Sequence, residues 1–517
     1  MATVAQTPPF GGPIRATAAA KLLDPNICFW VVGVLVYGVA AVNFAAGHFL
    51  DQVARDIWQH LSALRALIQS PFHATNPFVA TSEPSRHFHP YWVTIALIAR
   101  AFGWNEWQAL AFAGFVSAGV LLSGIFTFGR AFYRNPWGPL ALLVAMEFGW
   151  VIPISHTGYH SMGTLIEGMG YPAPLLIGLS LHLWAVVIWA LKDLRYAIII
   201  PPVAAFMFAT HQLGAIIGFI VASCLIALWP KSRLSRRAVV ASAIGLGLLL
   251  SAAWPYFNPF AMMLRTGNAS WTGDINYYGV PQLLAAFVPA IVGIAGLLNS
   301  RFRRRSQPIL AALAIFLVIF ACGAAGVMIA TRFLMPAILM LHIGLGALLL
   351  IIARRWKDYR DSQRKWIFAI AFLIADLSAS LTYIYLHGEA VDAKIEGSAY
   401  DHAVALTRDI PDSQPIAVYD VAVWPFVATG QRAVSVPWPE PGIHDLVARQ
   451  QAVEELFDPR LTRNERVALA RRWGTRVLIM HIHGAMRREM PPRLIETLTD
   501  QSVQMRRSGN FLRFDLY

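Results

Sequence analysis

Eleven predominantly apolar stretches punctuate this sequence, most of them near the roughly 20 residues that carry a helix across a bilayer. They lie near 27–49, 108–129, 137–155, 172–191, 196–210, 212–229, 238–257, 281–299, 307–327, 333–353 and 366–386. The fifth is short, contains Pro201 and Pro202, and is separated from the sixth only by Thr210 and His211. The pattern predicts a polytopic α-helical membrane protein of about eleven transmembrane helices. Composition agrees: 56% of residues are hydrophobic and 14% charged, where a soluble domain carries roughly 25% charged residues. That balance excludes an ordinary soluble enzyme, a disordered chain and a disulfide scaffold.

Charge placement orients the spans. Arg15 and Lys21 precede the first run, which is too long for a signal-peptide core of about 7–15 residues, so it reads as an uncleaved span with a cytoplasmic N-terminus. Every second connection should then be basic, and each is. The five hold Arg130 and Arg134; Lys192 and Arg195; Lys231, Arg233, Arg236 and Arg237; Arg301, Arg303, Arg304 and Arg305; and Arg354, Arg355, Lys357, Arg360, Arg364 and Lys365. Much of the net charge of +13 is thus a topological label, needing no nucleic acid. The expected location is the plasma (inner) membrane, multi-pass, with the C-terminal part extracytoplasmic or periplasmic.

Two regions do not span. Residues 50–107 form a long first outside loop, in which 88–103 is amphipathic, interrupted by Arg100, and reads as an interfacial helix. Residues 1–387 thereby make one membrane module. Residues 388–517 make a polar tail of helix-like stretches and short β-rich runs (PIAVYDVA, AVSVP, RVLIMHI), enough for a soluble C-terminal α/β domain. Cys28, Cys224 and Cys322 lie far apart inside apolar runs and give neither a disulfide framework nor a metal spacing.

The first outside loop carries the most chemistry. Asp51 and Asp56 follow the first span, and Asp56 opens a helix with apolar positions at 57, 61, 64, 67 and 68. Asp56 and His60 share a face at i, i+4. A carboxylate held there can act as a general base; the plainer reading is that it complements the helix dipole. Histidines gather on the outside: His48, His60, His73, His87, His89, His156, His160 and His211. None forms a zinc signature; the His87-x-His89 pair could bind a metal, but polar interfacial decoration is the plainer reading. Arg332 stands at the outer edge between two spans, where it either snorkels or grips phosphate; Arg86 and Arg265 are further candidates. Glu147, His182 and Asp376 are ionisable residues within spans, where burial favours protein contacts or a cavity. Glu147 either lines the same cavity as His156 and His160 or ties helices together.

Together these features resemble the GT-C superfamily of membrane glycosyltransferases, which take sugars from polyprenyl-phosphate donors. The resemblance rests on an acidic residue in a long first outside loop, the stretch Asp56–Ile68 followed by P-F-H and N-P-F, and the aromatic return through His89-Pro90-Tyr91-Trp92. The G-W-N-E-W-Q junction at 103–108 and a soluble tail after about eleven spans complete it. It implies sugar transfer to an acceptor hydroxyl of a lipid, glycan or protein, inverting, with Asp56 (or Asp51) as base. It also implies a donor phosphate at Arg332, with His60, Arg86, His87, His89, His156, His160, His211 and Glu147 lining the site. The loop lacks a clean D-E or E-x-D pair, so no metal ligands are assigned and a divalent cation stays open. A flippase of lipid-linked sugars would need inverted repeats or paired broken helices, which are absent. A polysaccharide polymerase or ligase would place its chemistry in a large late outside loop, and a non-catalytic scaffold leaves the elaborate first loop without a purpose.

Overall fold

The computed structural model describes residues 24–46, 56–150, 165–166, 168–266, 290–324, 328–356, 399–437, 440, 443–482 and 493–517. The first apolar run forms α1 (Pro25–Ala46), about 33 Å long at 1.5 Å per residue and so sufficient for a hydrocarbon core of about 30 Å. Two loop helices follow, α2 (Ile57–Gln69) and α3 (Pro90–Phe102). At 13 residues α3 is about 20 Å long, too short to span. It starts at Pro90, whose fixed φ suits the first helical turn, and stops at Gly103, whose φ of +68° closes the C-terminus. The bundle continues through α4 (Glu106–Tyr133), α5 (Gly138–Phe148) and α6 (Pro172–Ala190). A Cβ at Gly124 of α4 would meet the Gly178 carbonyl oxygen of α6 at 2.5 Å, so these two backbones approach in a way only glycine permits.

A 3-10 turn (Leu194–Ile199) leads into α7 (Ile200–Thr210), and His211 alone breaks the chain before α8 (Gln212–Leu228). Then come α9 (Leu234–Ser251), α10 (Pro259–Thr266), α11 (Gly293–Leu298) and α12 (Arg303–Ala324). A second 3-10 turn (Met328–Phe333) carries Arg332 into α13 (Leu334–Trp356). Among the described residues six helices are long and apolar enough to cross a membrane: α1, α4, α6, α9, α12 and α13. The third, fifth and sixth expected spans are shorter apolar helices. The eighth is described only from residue 290, and the last, 366–386 with Asp376, lies outside the described residues.

The C-terminal region begins with α14 (Ala399–Thr407) and holds β1 (Ala417–Val418), α15 (Val423–Ala428), α16 (Leu446–Leu456), α17 (Arg463–Arg472), β2 (Val477–His481), α18 (Leu494–Gln501), β3 (Gln504–Ser508) and β4 (Phe511–Asp515). The strands form one sheet in the order β1-β2-β4-β3, with β1 parallel to β2 and the other neighbours antiparallel. β2 and β4, paired from Val477↔Asp515 to His481↔Phe511, are central and buried, whereas β3 is a charged edge with Arg506 and Arg507. RVLIMHI is a strand as expected. PIAVYDVA shrinks to two residues, and AVSVP contributes only bridges from Ala433 to Val79 and Ile416. The β3–β4 hairpin was not anticipated; Gly509, at φ +54°, supplies its turn.

One apolar core unites the spans, the two loop helices and the near face of the C-terminal region, and a second fills the interior of that region around Leu456, Leu478, Met480 and Phe514. The spacing of α2 predicted a single apolar stripe, yet its first two turns are buried all round, including Gln59, His60 and Ser62. The reason is a second cover: α3 and α4 pack on one side and α15 on the other. Trp58 stacks on Tyr400, and Arg65 binds Glu106 at 2.6 Å and the Tyr400 hydroxyl at 3.2 Å.

Candidate active site

Four segments far apart in sequence meet beside α2. His60 lies one turn into that helix, residues 85–89 lead into α3, His211 breaks α7 from α8, and Arg332 precedes α13. His60 is packed among rings, with centroids 4.7 Å from Tyr171, 5.3 Å from Trp92 and 5.7 Å from His87. Burial first, then the charges of Arg86 and His211, pushes its imidazole down to about 3. His211 is pushed down to about 4, by burial and then by Arg332 and Arg86. His87 and His89 are driven well below their ordinary value, again by burial first, then for His87 by Arg86 and for both by the neighbouring imidazoles, which resist gaining protons together. These mutual influences bring Arg86, Arg332, His60, His87, His89 and His211 into one electrostatic neighbourhood.

The proton positions follow from their partners. Nδ1 of His60 accepts from the Trp92 indole N–H at 3.1 Å, Nδ1 of His89 from the Trp92 backbone N–H at 3.4 Å, and Nδ1 of His211 from the Gly214 backbone N–H at 3.0 Å. Each of those groups can only donate. Each histidine, neutral at pH 7, therefore carries its proton on Nε2 and offers one donor. His89 is 4% exposed and its Nε2 has no hydrogen-bond partner among the described residues. A buried donor left so costs about 1–3 kcal/mol, which an acceptor-only ligand such as a phosphate oxygen would relieve.

Glu440, absent from the sequence-based candidates, reaches this neighbourhood from the C-terminal region. Its carboxylate is 3% exposed and accepts from the Ser85 hydroxyl at 3.0 Å and the Arg86 backbone N–H at 2.9 Å. The Arg86 guanidinium lies 3.5 Å away. Burial raises the Glu440 carboxyl, against the lowering pull of Arg86. His87 Nδ1 stands 3.8 Å from the same carboxylate, but a histidine held neutral makes this a polar contact and no ion pair. The one signal in the sequence was an acidic residue between prolines, Pro439-Glu440-Pro441. Glu83 and His444 pair nearby, and the Ala433 N–H donates to Phe78 O at 2.8 Å, so the C-terminal region is fastened to the first loop at several points.

Asp56 is the N-cap residue of α2, half-buried, one helical turn from His60, whose backbone N–H donates to the Asp56 carbonyl at 3.2 Å. Glu147 stands elsewhere: buried in α5, it accepts the Tyr37 hydroxyl of α1 at 2.5 Å and so ties two helices. Asp51, His156 and His160 lie outside the described residues, as does the Arg265 side chain. Among the described residues no three His, Cys, Asp or Glu side chains group closely enough to hold a metal ion. Among the described residues, His60 and His89, whose Nδ1 atoms accept from N–H donors, do not offer a free ring nitrogen lone pair to a divalent cation.

Acid sensitivity follows from the histidines. Unfolded, each would take a proton near pH 6.5; folded, His60 and His211 resist until about 3 and 4. Between those limits the unfolded chain binds more protons, so stability falls as pH falls, by up to about 1.4 kcal/mol per pH unit for each group. Thermal unfolding of detergent-purified protein is expected to shift down steadily from pH 7 to 5, and His60→Gln should flatten that slope. A slope unchanged by the substitution would mean His60 is not held neutral.

No family profile matches this sequence, and no curated protein matches it. Solved structures do. ArnT from Cupriavidus metallidurans, bound to undecaprenyl phosphate, shares 14% identity over 94% of this chain and 98% of its own, with a TM-score of 0.54. The mycobacterial arabinofuranosyltransferase AftD shares 15% over 93% of this chain but 41% of its own, with a TM-score of 0.55. The Archaeoglobus fulgidus oligosaccharyltransferase, in complex with Zn and sulfate, shares 12% over 87% and 68%, with a TM-score of 0.54. The same archaeal enzyme also appears with an inhibitory peptide and a dolichol-phosphate. These neighbours are GT-C membrane glycosyltransferases. The chain shares the fold of that class.

Proposed function

We propose that this protein transfers a sugar from a polyprenyl-phosphate-linked donor to an acceptor hydroxyl at the extracytoplasmic face of the membrane, with inversion. The observation that carries the reading is the gathering of two arginines and three neutral, Nε2-protonated histidines at the end of the bundle where the first loop folds back. Such a site offers donors and positive charge to an anion, and the buried Glu440 carboxylate beside it is matched by Arg86. ArnT, with the same fold along nearly its whole length, binds undecaprenyl phosphate. In this reading Arg332, His211 and His89 hold the donor phosphate. Asp56 takes the proton of the acceptor hydroxyl as its oxygen bonds to the anomeric carbon. The bond from that carbon to the phosphate oxygen breaks, and prenyl phosphate leaves with the electron pair. A phosphate is a good leaving group, so strong acid catalysis is not required.

The test is to supply purified protein with a panel of polyprenyl-phosphate sugars and candidate acceptors, and to follow both products. Prenyl phosphate and glycosylated acceptor should appear in equal amounts. Movement of an intact lipid-linked sugar across the bilayer, with the glycosidic bond unbroken, would make the protein a flippase instead.

Glu440 is a positioning residue in this reading: it fixes the backbone and side chain of Arg86 and touches no reacting atom. Glu440→Gln keeps the shape and one acceptor oxygen but removes the charge that compensates Arg86. Loss of that buried partner is expected to destabilise by about 1–3 kcal/mol and to change the Michaelis constant for the donor while leaving kcat nearly unaltered. A fall confined to kcat would move Glu440 into the chemistry.

A further inference from the structure

A second group of cations gathers at the opposite end of the bundle. α4 and α6 run parallel, since Gly124 abuts Gly178, Ser123 Oγ lies 3.0 Å from His182 Nε2, and the Phe128 and Trp184 rings are 5.5 Å apart. Their N-terminal ends flank the candidate active site, through Glu106 with Arg65 and Tyr171 with His60. Their C-terminal ends therefore deliver Arg134 and Lys192 together, about 30–40 Å away. Two more arginines close on them. Arg305, in the first turn of α12, donates to Phe132 O at 3.4 Å and Tyr133 O at 3.3 Å. Arg236, in the first turn of α9, donates to Leu191 O at 3.5 Å and also to Lys192 O.

Among the described residues none of these four cations is ion-paired with a carboxylate. Lys192 is pushed below its ordinary value by burial and then by the charges of Arg134 and Arg305. Like charges crowded this way lack an anion. The surroundings say what kind. Leu194, Tyr196, Ile198 and Ile199 in the turn after Lys192 are exposed, Ile198 at 79%, and Leu234 at the start of α9 is exposed at 80%. On helices that enter the bilayer such apolar surface faces lipid, so the anion at hand for the adjoining cations is the headgroup of an amphipathic lipid.

We propose that Arg134, Lys192, Arg236 and Arg305 form a headgroup site for an acidic phospholipid. Its phosphate is held by the cations, and its acyl chains lie over the 194–199 turn and the start of α9. Arginine suits the phosphate oxygens through its planar fork, and lysine adds a point charge. The site does not depend on the sugar-transfer reading.

Detergent-purified full-length protein, titrated with dioleoyl phosphatidylglycerol or dioleoyl phosphatidylcholine and read by native mass spectrometry, tests this. Wild type should retain the anionic phosphatidylglycerol in preference to the zwitterionic phosphatidylcholine. Removing two cations in Arg134→Gln/Lys192→Gln should weaken its retention by about 30-fold. Arg301→Gln/Arg304→Gln removes equal charge from nearby positions outside the cluster and should leave retention unchanged. Equal retention of both lipids by wild type overturns the proposal, without recourse to any variant. Equal loss in the two double variants reduces the effect to diffuse attraction and overturns it also. Displacement of the bound lipid by millimolar inorganic phosphate would reassign the site to a free anion.

Discussion

Asp56→Asn is expected to lower sugar transfer by about 10²–10⁴-fold, the usual contribution of a positioned general base. Asparagine preserves the size and the polar oxygen of the side chain but cannot take up the acceptor proton. It is also as good a helix N-cap as aspartate, and Asp56 makes no side-chain cap bond to α2. Thermal unfolding measured beside the single-turnover rate separates chemistry from folding. Unchanged thermal unfolding with a lost single-turnover rate is the expected pair of results. Transfer at the wild-type rate by the folded variant would leave Asp56 with its plainer role, a negative charge near the positive end of α2. If Asp51→Asn alone loses activity, the base is the earlier carboxylate.

Hydropathy made the long helices legible, because a run such as 108–129 admits few structures other than a span. It was poorer at ends and at short helices. α7 and α8 form around a single break at His211, and the fifth run opens as a 3-10 turn; local apolar content is alike on both sides of such a break. The loop helix at Asp56 was legible from its spacing, but the full burial of its first two turns was not. That burial comes from α15, more than 350 residues further on, whose approach no local pattern records. The same limit applies to the site. His60, Arg86, His211 and Arg332 were each suspected singly, from being polar and outside. Their meeting depends on packing among α2, α3, α8 and the turn before α13. Glu440 was invisible because an acidic residue in a proline-rich stretch looks like solvated loop, and only the docking of the C-terminal region gives it Arg86. The hairpin Gln504–Asp515 escaped because its edge strand, carrying Arg506 and Arg507, lacks the apolar alternation of a half-buried strand.

Arg332 carries the other large expected effect. At a membrane edge an arginine can merely snorkel, and Arg332→Ala would then alter anchoring without altering donor dependence. In the proposed site it contributes charge-assisted hydrogen bonds to the donor phosphate, worth about 1.5–3 kcal/mol, so its removal should weaken donor use by about 10–100-fold. Arg332→Lys should recover part of this, since lysine keeps the charge and loses the bidentate geometry. A second readout discriminates further. Among the charges that depress His211, Arg332 is the foremost. Without it the imidazole gains a proton more easily, and as pH falls from 7.5 toward 5.5 an imidazolium should begin to replace the missing guanidinium. Donor affinity of Arg332→Ala should therefore improve on acidification, while the wild type, whose arginine is charged throughout, shows no such gain. The recovery should be incomplete, because burial is the larger cause of the His211 depression and the substitution leaves it in place. An acid-independent donor affinity in the variant would mean that burial alone keeps His211 neutral and that its imidazolium does not stand in for Arg332.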